Sequence, residues 1–424
     1  MATVKRFKAV IYNQEKIKDL SSVVCPPYDV ISPARQEAYH QASPYNFIHI
    51  LLGKDIAGED KYVRAANYFN VWLNNKILVF DKAQAIYFYS QDYRVKGEQR
   101  TRLGFISLLR LEDKDKAIYK HEHTRPAPKE DRLKLLNHIH ANLSPIFSVF
   151  LDKKRIIQRI FNKYIKESAT LIDVTDDEGT VHKLWRIEDQ QALKSIEEAL
   201  MQEDIFIADG HHRYEVACAY RDQMRQKFGK GSGQESYNYV LSYFTNTDPH
   251  GLNILPIHRL LNLDKPLDLE KFIASLKEYF DVDEVKDKQK FFFLLEKSGI
   301  SEHVIGMYKE KRYWLMRLKN VKILDKELSD RPKDYRVLDV SILNHLVFKK
   351  IFGIENNENL EFSPHADEFI EKVDSDPSYI AFFLNPVRME QIIAVASKGE
   401  RMPPKSTYFY PKVLSGLVIN KHEG

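Results

Sequence analysis

The chain has 424 residues, of which 43% are hydrophobic and 29% are charged. At about 150 residues per domain, this length predicts two or three domains with enough apolar side chains for real cores, which excludes a disordered or fibrous protein. The 64 Lys and Arg residues against 60 Asp and Glu leave a formal charge of +4, which is too small for a protein that coats nucleic acid.

The cysteines and the apolar runs predict the compartment. Cys25 and Cys218 are too few for a disulfide framework or a zinc ribbon, which favours a reducing environment. The first residues, MATVKRFKAVIYNQEKIK, contain no apolar run of the length that a signal peptide needs, and no later run approaches the roughly 20 apolar residues of a membrane span. We therefore expect a cytoplasmic protein with no membrane partner.

The first half of the chain mixes helical and β-rich patterns. Residues 59–75 place Ala65, Phe69 and Trp72 at helical spacing, which predicts an amphipathic helix with one buried face. The next predicted elements are a hairpin of 85–95 and 101–111 turned near Gly97, helices at 129–140 and 153–165, a hairpin over 170–187 turned at 176–179, a helix with Ala192, Leu193, Ile196 and Leu200 on one face, and a strand at 205–209.

In the second half, a helix directly follows Asp209. Further predictions are strands at 237–245, 252–259, 303–309, 312–319 and 379–385, helices at 267–280 and 337–351, and a last helix that begins with Asn385 as N-cap and Pro386 as first residue. The order lacks the regular βαβ cadence of a doubly wound sheet, so the predicted fold class is α+β with mixed β-sheets.

Possible domain boundaries lie near Pro266, in the charged stretch 281–290 and at 330–336. They predict a main lobe at 1–265, a smaller α+β lobe at 266–335 and a C-terminal segment at 336–424 that returns to the site of the main lobe.

Residues 205–213, IFIADGHHR, form the most informative cluster. An apolar strand ends at Asp209, and Gly210, His211, His212 and Arg213 occupy the start of a helix. Backbone N–H groups at a helix N-terminus attract phosphate, and an arginine can bind two of its oxygens. Asp209 could hold a metal ion or accept a hydroxyl proton. The alternative is a helix capped by Asp209 with ordinary surface histidines, but five polar or special residues directly after a buried strand favour a phosphate-binding site.

A second cluster, YKHEHT at 119–124, precedes a predicted helix that starts with charged residues. If this cluster is extended, His121 and His123 share a face, and a two-histidine metal site is one interpretation, although no third ligand is near. A polar loop is the alternative. Lys129 and Arg132 either solvate the first helical turn or meet the anion of a substrate.

Two further clusters lie near the ends of the chain. In MPPKSTYFYPK, at 402–412, the side chains of Lys405, Ser406 and Thr407 are donors suited to a phosphate or a carboxylate, although the glycine pattern of a P-loop is missing. In CPPYDV, at 25–30, prolines form a rigid turn that presents Tyr28 and Asp29. This turn is either a structural corner or a source of substrate contacts.

The four clusters, in this order, resemble the bacterial family called domain of unknown function 1015, whose members carry PPYDV, HExT-PK-DR, ADGHHRY and MPxKSTYFxPK segments. The family resembles, more distantly, the ParB and sulfiredoxin group, in which a strand-turn-helix binds nucleotide phosphates. Gly210, His212 and Arg213 match the Gly-x-His-Arg signature of that turn. His211 stands where sulfiredoxin has its catalytic cysteine, so sulfiredoxin chemistry is not implied.

The Asp-Gly-His-His-Arg turn is also similar to that of archaeal free-serine kinase, which moves phosphate between ADP and serine. This resemblance implies a phosphotransferase or phosphatase of serine metabolism, acting on free serine or O-phosphoserine with Mg2+ and with ADP or ATP. The implied catalytic candidates are Asp209, Glu122 and His211, with Mg2+ held at Asp209. The implied phosphate or nucleotide contacts are Gly210, His212, Arg213, Arg132 and Lys129, and the substrate contacts are Lys405, Ser406, Thr407, Tyr28, Asp29 and His123.

The alternative hypothesis is a ParB-like nucleotide-binding regulator that binds DNA or acts without catalysis. It predicts a basic helix-turn-helix and a dimerisation tail. The basic helices at 153–165 and 219–230 instead disperse Lys and Arg among acidic and apolar residues, which is typical of a solvated face. We therefore expect a small-molecule substrate rather than nucleic acid, with a homodimer as one expectation for the assembly.

Overall fold

A computed structural model describes residues 2–113, 117–153, 155–248, 250–263, 265–356 and 358–423. The chain divides into two compact units. The first unit comprises Met1–Lys120, Thr124–Asn253 and Pro411–Gly424, and the second comprises His121–His123 and Ile254–Tyr410. None of the described helices combines the length and the apolar character that a membrane crossing needs.

The described strands and helices alternate irregularly along the chain. The strands are β1 (Val4–Lys5), β2 (Val10–Tyr12), β3 (Leu78–Phe80), β4 (Ile86–Val95), β5 (Glu98–Arg110), β6 (Ile118–Tyr119), β7 (Ala141–Asn142), β8 (Ile146–Phe150), β9 (Ile172–Thr175), β10 (Val181–Ile187), β11 (Ile205–Asp209), β12 (Tyr239–Asn246), β13 (Asn253–Leu255), β14 (His258–Asn262), β15 (Phe280–Val285), β16 (Val304–Lys309), β17 (Arg312–Leu318), β18 (Leu360–Ser363), β19 (Tyr379–Phe383), β20 (Tyr408–Tyr410) and β21 (Asn420–Lys421). The α-helices are α1 (Pro33–Ala42), α2 (Ile48–Leu51), α3 (Lys61–Asn74), α4 (Pro126–Ile139), α5 (Ile156–Glu167), α6 (Gln190–Leu200), α7 (His211–Phe228), α8 (Leu269–Leu276), α9 (Lys288–Ser298), α10 (Ile323–Glu327), α11 (Lys333–Arg336), α12 (Asp339–Ile342), α13 (Ala366–Ser375) and α14 (Met389–Ala396).

The described part of the first unit is built on a nine-stranded sheet with the order β6-β11-β8-β12-β5-β4-β10-β9, and β1 pairs with β5. The pairs β6/β11 and β8/β12 are parallel, and the other pairs are antiparallel. Because β11 and β8 are antiparallel, the carboxyl end of β11 lies beside the start of β8. This topology places Asp209 next to the Ser144–Pro145 segment that enters β8.

Most of the elements predicted for this unit are confirmed. The helix predicted at 59–75 is α3, which Asp60 caps by accepting from the backbone N–H groups of Tyr62 and Val63. The first hairpin turns at Lys96 and Gly97, both at positive φ. Because a two-residue turn is enough there, Glu98–Arg100 join β5 instead of the loop. The helix predicted at 153–165 is α5, and Lys154 lies outside the described residues.

The described part of the second unit contains an antiparallel six-stranded sheet with the order β15-β17-β16-β19-β14-β18. Its strands come from 258–262, 280–318 and 360–383. Along the chain, the first unit gives way to the second between Asn253 and Ile254, and the chain returns to the first unit after Tyr410. The α+β class with mixed and antiparallel sheets is therefore confirmed, whereas the three-part division at 265 and 335 stays a prediction.

Two helix predictions in this unit are wrong at their boundaries. The helix predicted at 267–280 ends at Leu276, because Phe280 begins the edge strand β15, whose three acidic side chains are exposed. The last helix begins at Met389 rather than at Pro386. Arg388 precedes it and donates its backbone N–H to the side chain of Gln391, whereas the Asn385 side chain donates to the Leu295 carbonyl instead of capping the helix.

Candidate functional site

The turn between β11 and α7 has the predicted sequence of a strand, a glycine and a helix. Gly210 lies in the left-handed region, with φ 84° and ψ 30°, and its carbonyl accepts the first helical bond from Tyr214. The helix that follows runs for 18 residues. Its N-terminus therefore carries the partial positive charge that favours an anion.

Asp209 lies between two cations. Its two carboxylate oxygens accept hydrogen bonds from Arg213 Nη2 at 2.8 Å and from Lys412 Nζ at 3.0 Å. The three side chains are only 11–18% exposed. Burial raises the pKa of Asp209, but Lys412 and Arg213 outweigh burial and hold this pKa well below its ordinary value. At neutral pH the carboxylate is ionised and orients both cations, and it is a weak proton acceptor.

Buried side chains of the first-unit sheet hold Lys412 in place. Gln91 donates to the Lys412 carbonyl at 2.9 Å, and Arg102 donates to the carbonyl of Pro411. Arg102 is fully buried, and its guanidinium lies over the ring of Phe147 at 4.5 Å. The return of the chain to the first unit at Pro411 therefore brings a lysine from the C-terminal cluster to Asp209.

A pocket within the first unit opens beside this ion cluster. Its empty volume is about 500 Å³ including the space open to solvent. The lining consists mostly of apolar side chains, together with a few polar groups: Tyr28, Leu51, Arg132, Leu135, Leu136, Ala141, Asn142, Leu143, Ser144, Arg213, Val216 and Val240. A largely apolar cavity with two arginines is typical of a site for a small anionic molecule.

Arg213 faces this pocket with part of its guanidinium free. It donates to the Pro145 carbonyl and to Asp209, whereas its buried Nε has no hydrogen-bond partner among the described residues. Because an unpaired buried donor costs free energy, a ligand oxygen that accepts from this Nε would stabilise the site.

Arg132 and Tyr28 form the second polar group of the lining. Arg132 donates to Asp131 and to the Leu51 carbonyl, and its guanidinium lies 4.5 Å from the centre of the Tyr28 ring. Burial, Asp29 and Asp209 raise the pKa of Tyr28 to about 12 against the opposing effect of Arg213 and Arg132. The Tyr28 hydroxyl is therefore protonated at neutral pH and can donate to an anion.

Several charges meet at this cluster. Arg213 and Lys412 pair with Asp209, and Arg132 and Lys61 pair with Asp131. A bound anion would interact with these cations in a region of low dielectric, where the interaction is stronger than in water.

Other predicted phosphate contacts of the first unit have structural partners. Lys129 pairs with Glu215 at 3.1 Å, and Thr124 donates to the same carboxylate at 2.6 Å. His212 Nε2 accepts from the backbone N–H of Arg125 at 3.0 Å. These contacts attach α7 to the start of α4, so Lys129 and His212 help to position the two helices relative to each other. His211 is buried, and Asp29 is exposed.

The remaining predicted residues lie in the second unit. His121 Nε2 lies 3.1 Å from Thr407 Oγ1, and the His121 carbonyl accepts from the backbone N–H of Met402. Ser406 donates to the Pro403 carbonyl at 2.5 Å. The second and third sequence clusters therefore meet within this unit. Glu122 is partly exposed and His123 is exposed, and the Lys405 carbonyl accepts from Arg259 at 2.9 Å.

The described residues do not fit a resident magnesium ion at Asp209. Both oxygens of its carboxylate already pair with cations. In the part of the chain that the structure describes, no three His, Cys, Asp or Glu side chains lie close enough together to hold a metal ion. The interpretation of His121 and His123 as a metal pair likewise finds no third ligand in the described residues.

Gly210→Ala tests how tightly the turn is built. A Cβ at this position would lie 2.9 Å from Arg213 Cζ and would also be held at φ 84°. We expect the free energy of unfolding to fall by about 1–3 kcal/mol, with weaker anion binding because the guanidinium must move. Gly97→Ala is the matched control: its φ is 81°, but nothing lies within 4 Å of the added Cβ. Urea unfolding of both variants separates the cost of the backbone angle from that of the clash, and equal losses would argue against the clash.

Sequence reasoning missed three polar residues of this site. Lys412 lies in the C-terminal cluster but was not assigned a role, and Asn142 and Ser144 line the pocket without any motif around them. A lysine seven residues after Lys405, in a cluster predicted to bind anions, was a usable signal. Asn142 and Ser144 gave none, because only the approach of β8 to α7 makes them lining residues.

The fold and the site together define an α+β protein with an arginine-lined pocket at the start of a long helix. Residues 4–341 match the family described as protein of unknown function, DUF1015. Since this match covers most of the 424 residues, the chain belongs to the DUF1015 family. None of the curated protein sequences matches the chain.

Three solved structures represent the structural matches. A mutant of free serine kinase in complex with ADP has a TM-score of 0.37 and 12% identity, covering 75% of this chain and 92% of that one. SbnI with a C-terminal truncation, from Staphylococcus aureus, has a TM-score of 0.36 and 12% identity, covering 73% and 85%. A conserved hypothetical protein from Pyrococcus furiosus has a TM-score of 0.34 and 13% identity, covering 73% and 92%. Similarity at this level does not transfer function.

Proposed function

We propose that the pocket beside Asp209 binds the phosphoryl group of a small molecule and that the protein transfers this group to or from the hydroxyl of free serine. The observation that carries the proposal is the convergence of Arg213, Arg132 and Tyr28 on one cavity at the N-terminus of α7. Phosphoryl transfer depends mainly on such positioning and charge stabilisation.

The binding step follows from the donors that line the cavity. Arg213 Nε is an N–H without a partner among the described residues, the Tyr28 hydroxyl is protonated, and the N-terminus of α7 favours an anion. Asp209 keeps the guanidinium of Arg213 and the ammonium of Lys412 in fixed positions. The apolar part of the cavity excludes water, which strengthens each of these interactions.

The choice of serine rests on the Asp-Gly-His-His-Arg turn at residues 209–213, which is similar to that of free-serine kinase. In the kinase direction the β-phosphoryl group of ADP passes to the serine oxygen, the hydroxyl proton is released, and AMP leaves. In the phosphatase direction, water forms the new P–O bond, and the serine oxygen takes up a proton as it leaves.

The base for this reaction is a separate part of the proposal. The pKa of Asp209 is too low for efficient proton abstraction at neutral pH. Glu122 is therefore the preferred proposed acid or base, with His211 as a further candidate. Glu122→Gln should bind O-phosphoserine normally and turn over at least ~100-fold slower, the usual contribution of general acid-base catalysis.

The decisive experiment incubates the purified full chain with O-phosphoserine and Mg2+, with and without AMP or ADP. Serine, inorganic phosphate and nucleotides are then quantified. Phosphate release without nucleotide indicates a phosphatase, and ADP formed from AMP indicates a reversible kinase. If no condition produces serine, the proposed reaction is wrong.

One observation favours a second function, a nucleotide-binding regulatory protein without catalysis. The two carboxylates nearest the turn, Asp209 and Glu215, both have lowered pKa values despite burial, because lysine and arginine side chains pair with Asp209, and Thr124 and Lys129 with Glu215. A site whose acids only hold cations binds anions without abstracting protons. Saturable ADP binding without turnover would support this alternative.

A further inference from the structure

A second polar site lies within the second unit, around Arg259 on β14. This arginine is 1% exposed, although a buried charge normally requires an ionic partner. It donates to the backbone carbonyls of Ile257 and Lys405, and its guanidinium carbon lies 5.4 Å from the centre of the Phe362 ring. All of these partners are neutral.

The charge of Arg259 is therefore uncompensated. Burial lowers its pKa to about 9, and no neighbouring carboxylate in the described part of the chain raises it. Its Nε is buried and has no hydrogen-bond partner among the described residues. Burial of an unpaired cationic donor costs free energy. A bound ligand that accepts a hydrogen bond from this donor would offset the cost.

Arg259 also lines a pocket, which provides space for such a ligand. The empty volume is about 320 Å³ including its open mouth. The lining contains four further polar side chains and an apolar remainder: Asp339, Asn385, Gln391, Ser406, Ile257, Leu338, Val340, Leu384, Pro386 and Val387. The segment from Asn385 to Val387 leads into α14, so the positive end of that helix lies at the pocket wall.

We propose that this pocket binds a small monocarboxylate whose oxygens accept hydrogen bonds from the guanidinium of Arg259. A carboxylate matches the planar donor geometry of arginine and supplies the missing counter-charge. The carboxylate of Asp339 lies in the same lining and is paired with His303 at 2.8 Å. A monocarboxylate matches the single positive charge of Arg259, whereas a phosphate dianion would add a second negative charge to a lining that already contains the Asp339 carboxylate.

Binding is tested by calorimetry on the full chain with acetate, L-lactate and glycine, with lactamide and inorganic phosphate as comparison probes. We expect saturable binding of at least one carboxylate and at least tenfold weaker binding of lactamide, which has the shape of lactate without its charge. If no carboxylate binds, if lactamide binds equally well, or if phosphate binds the Arg213→Ala variant as well as a carboxylate does, the proposal is overturned.

Variants then place the ligand in this pocket. Arg259→Met should weaken carboxylate binding at least tenfold. If that variant does not fold, Val387→Phe blocks the partly exposed mouth and leaves the backbone contacts of Arg259 intact, with the same expected loss. Val321→Phe, on an exposed side chain outside the lining, is the matched control.

This site is independent of the proposed phosphoryl transfer. Arg213→Ala removes an arginine of the first-unit pocket and should leave carboxylate binding unchanged. Loss of binding in Arg213→Ala, together with normal binding in Val387→Phe, would instead assign the ligand to the first unit and overturn the proposal.

Discussion

Replacement of Asp209 by alanine is expected to lower the free energy of unfolding by about 3 kcal/mol. The change leaves Arg213 and Lys412 close together without their shared counter-ion, and breaking a buried pair in this way costs about 3–5 kcal/mol. The lower end applies because these side chains retain 11–18% exposure. At roughly 2–4 °C per kcal/mol, the melting temperature should fall by about 6–12 °C, which calorimetry measures directly.

The matched control for this prediction removes one of the two cations. Lys412→Met leaves the bond between Asp209 and Arg213 and should cost less than Asp209→Ala. In the double variant, the repulsion between the two cations disappears, so its total loss should be smaller than the sum of the single losses. Strictly additive losses would contradict the electrostatic account of the cluster.

The stability contributed by Asp209 should also depend on pH with a definite sign. Its pKa in the folded protein is held below its ordinary value by Lys412 and Arg213 against the effect of burial. A lowered folded pKa contributes stability that is present above the unfolded pKa of about 3.9 and is lost as the pH falls towards the folded pKa. The difference between the wild type and Asp209→Asn should therefore be constant from pH 8 to 5 and shrink below about pH 4. A difference that grows on acidification would contradict it.

Arg213→Ala is expected to weaken binding of O-phosphoserine or ADP by about 100-fold. Two hydrogen bonds from a guanidinium to an anion are worth about 1.5–3 kcal/mol each, and a loss of about 3 kcal/mol corresponds to this factor. The fold should persist, because Asp209 keeps its bond to Lys412. Calorimetric titration of the full chain measures the effect.

Two controls make this result specific. Arg213→Lys keeps the charge but loses the two-pronged geometry, so it should fall between the wild type and the alanine variant. Arg94→Ala removes an exposed arginine of β4 and should bind normally. Unchanged binding in Arg213→Ala would remove this arginine from the phosphate site and, with it, the main support for the proposed function.

The sequence predicted local structure well where one pattern dominates. The amphipathic helix α3, the two hairpins and the succession of β11 and α7 follow from periodicity and turn residues. It predicted boundaries poorly where two signals compete. Asn385 and Pro386 carry the signature of a helix start, but a hydrogen bond from Asn385 to the Leu295 carbonyl delays the helix to Met389.

The candidate site shows the same division. The DGHHR turn was recognised from sequence, because a strand end, a glycine and an arginine follow one another within five residues. The sequence also offered Asp209 as a metal ligand, which its two cation partners do not fit, and His212 as a phosphate contact, which stays a prediction. In the structure Asp209 pairs with two cations, and His212 Nε2 accepts from a backbone N–H.

The sequence by itself determined the α+β class, the strand-glycine-helix turn at Gly210 and membership of the DUF1015 family, because these depend on short patterns of neighbouring residues. Only the tertiary structure decided which charges meet. Lys412 reaches Asp209 across 203 positions of sequence, and Arg132 meets Tyr28 across the first unit. Contacts of this kind depend on distance and burial in the folded chain, and neither quantity is encoded in local sequence spacing.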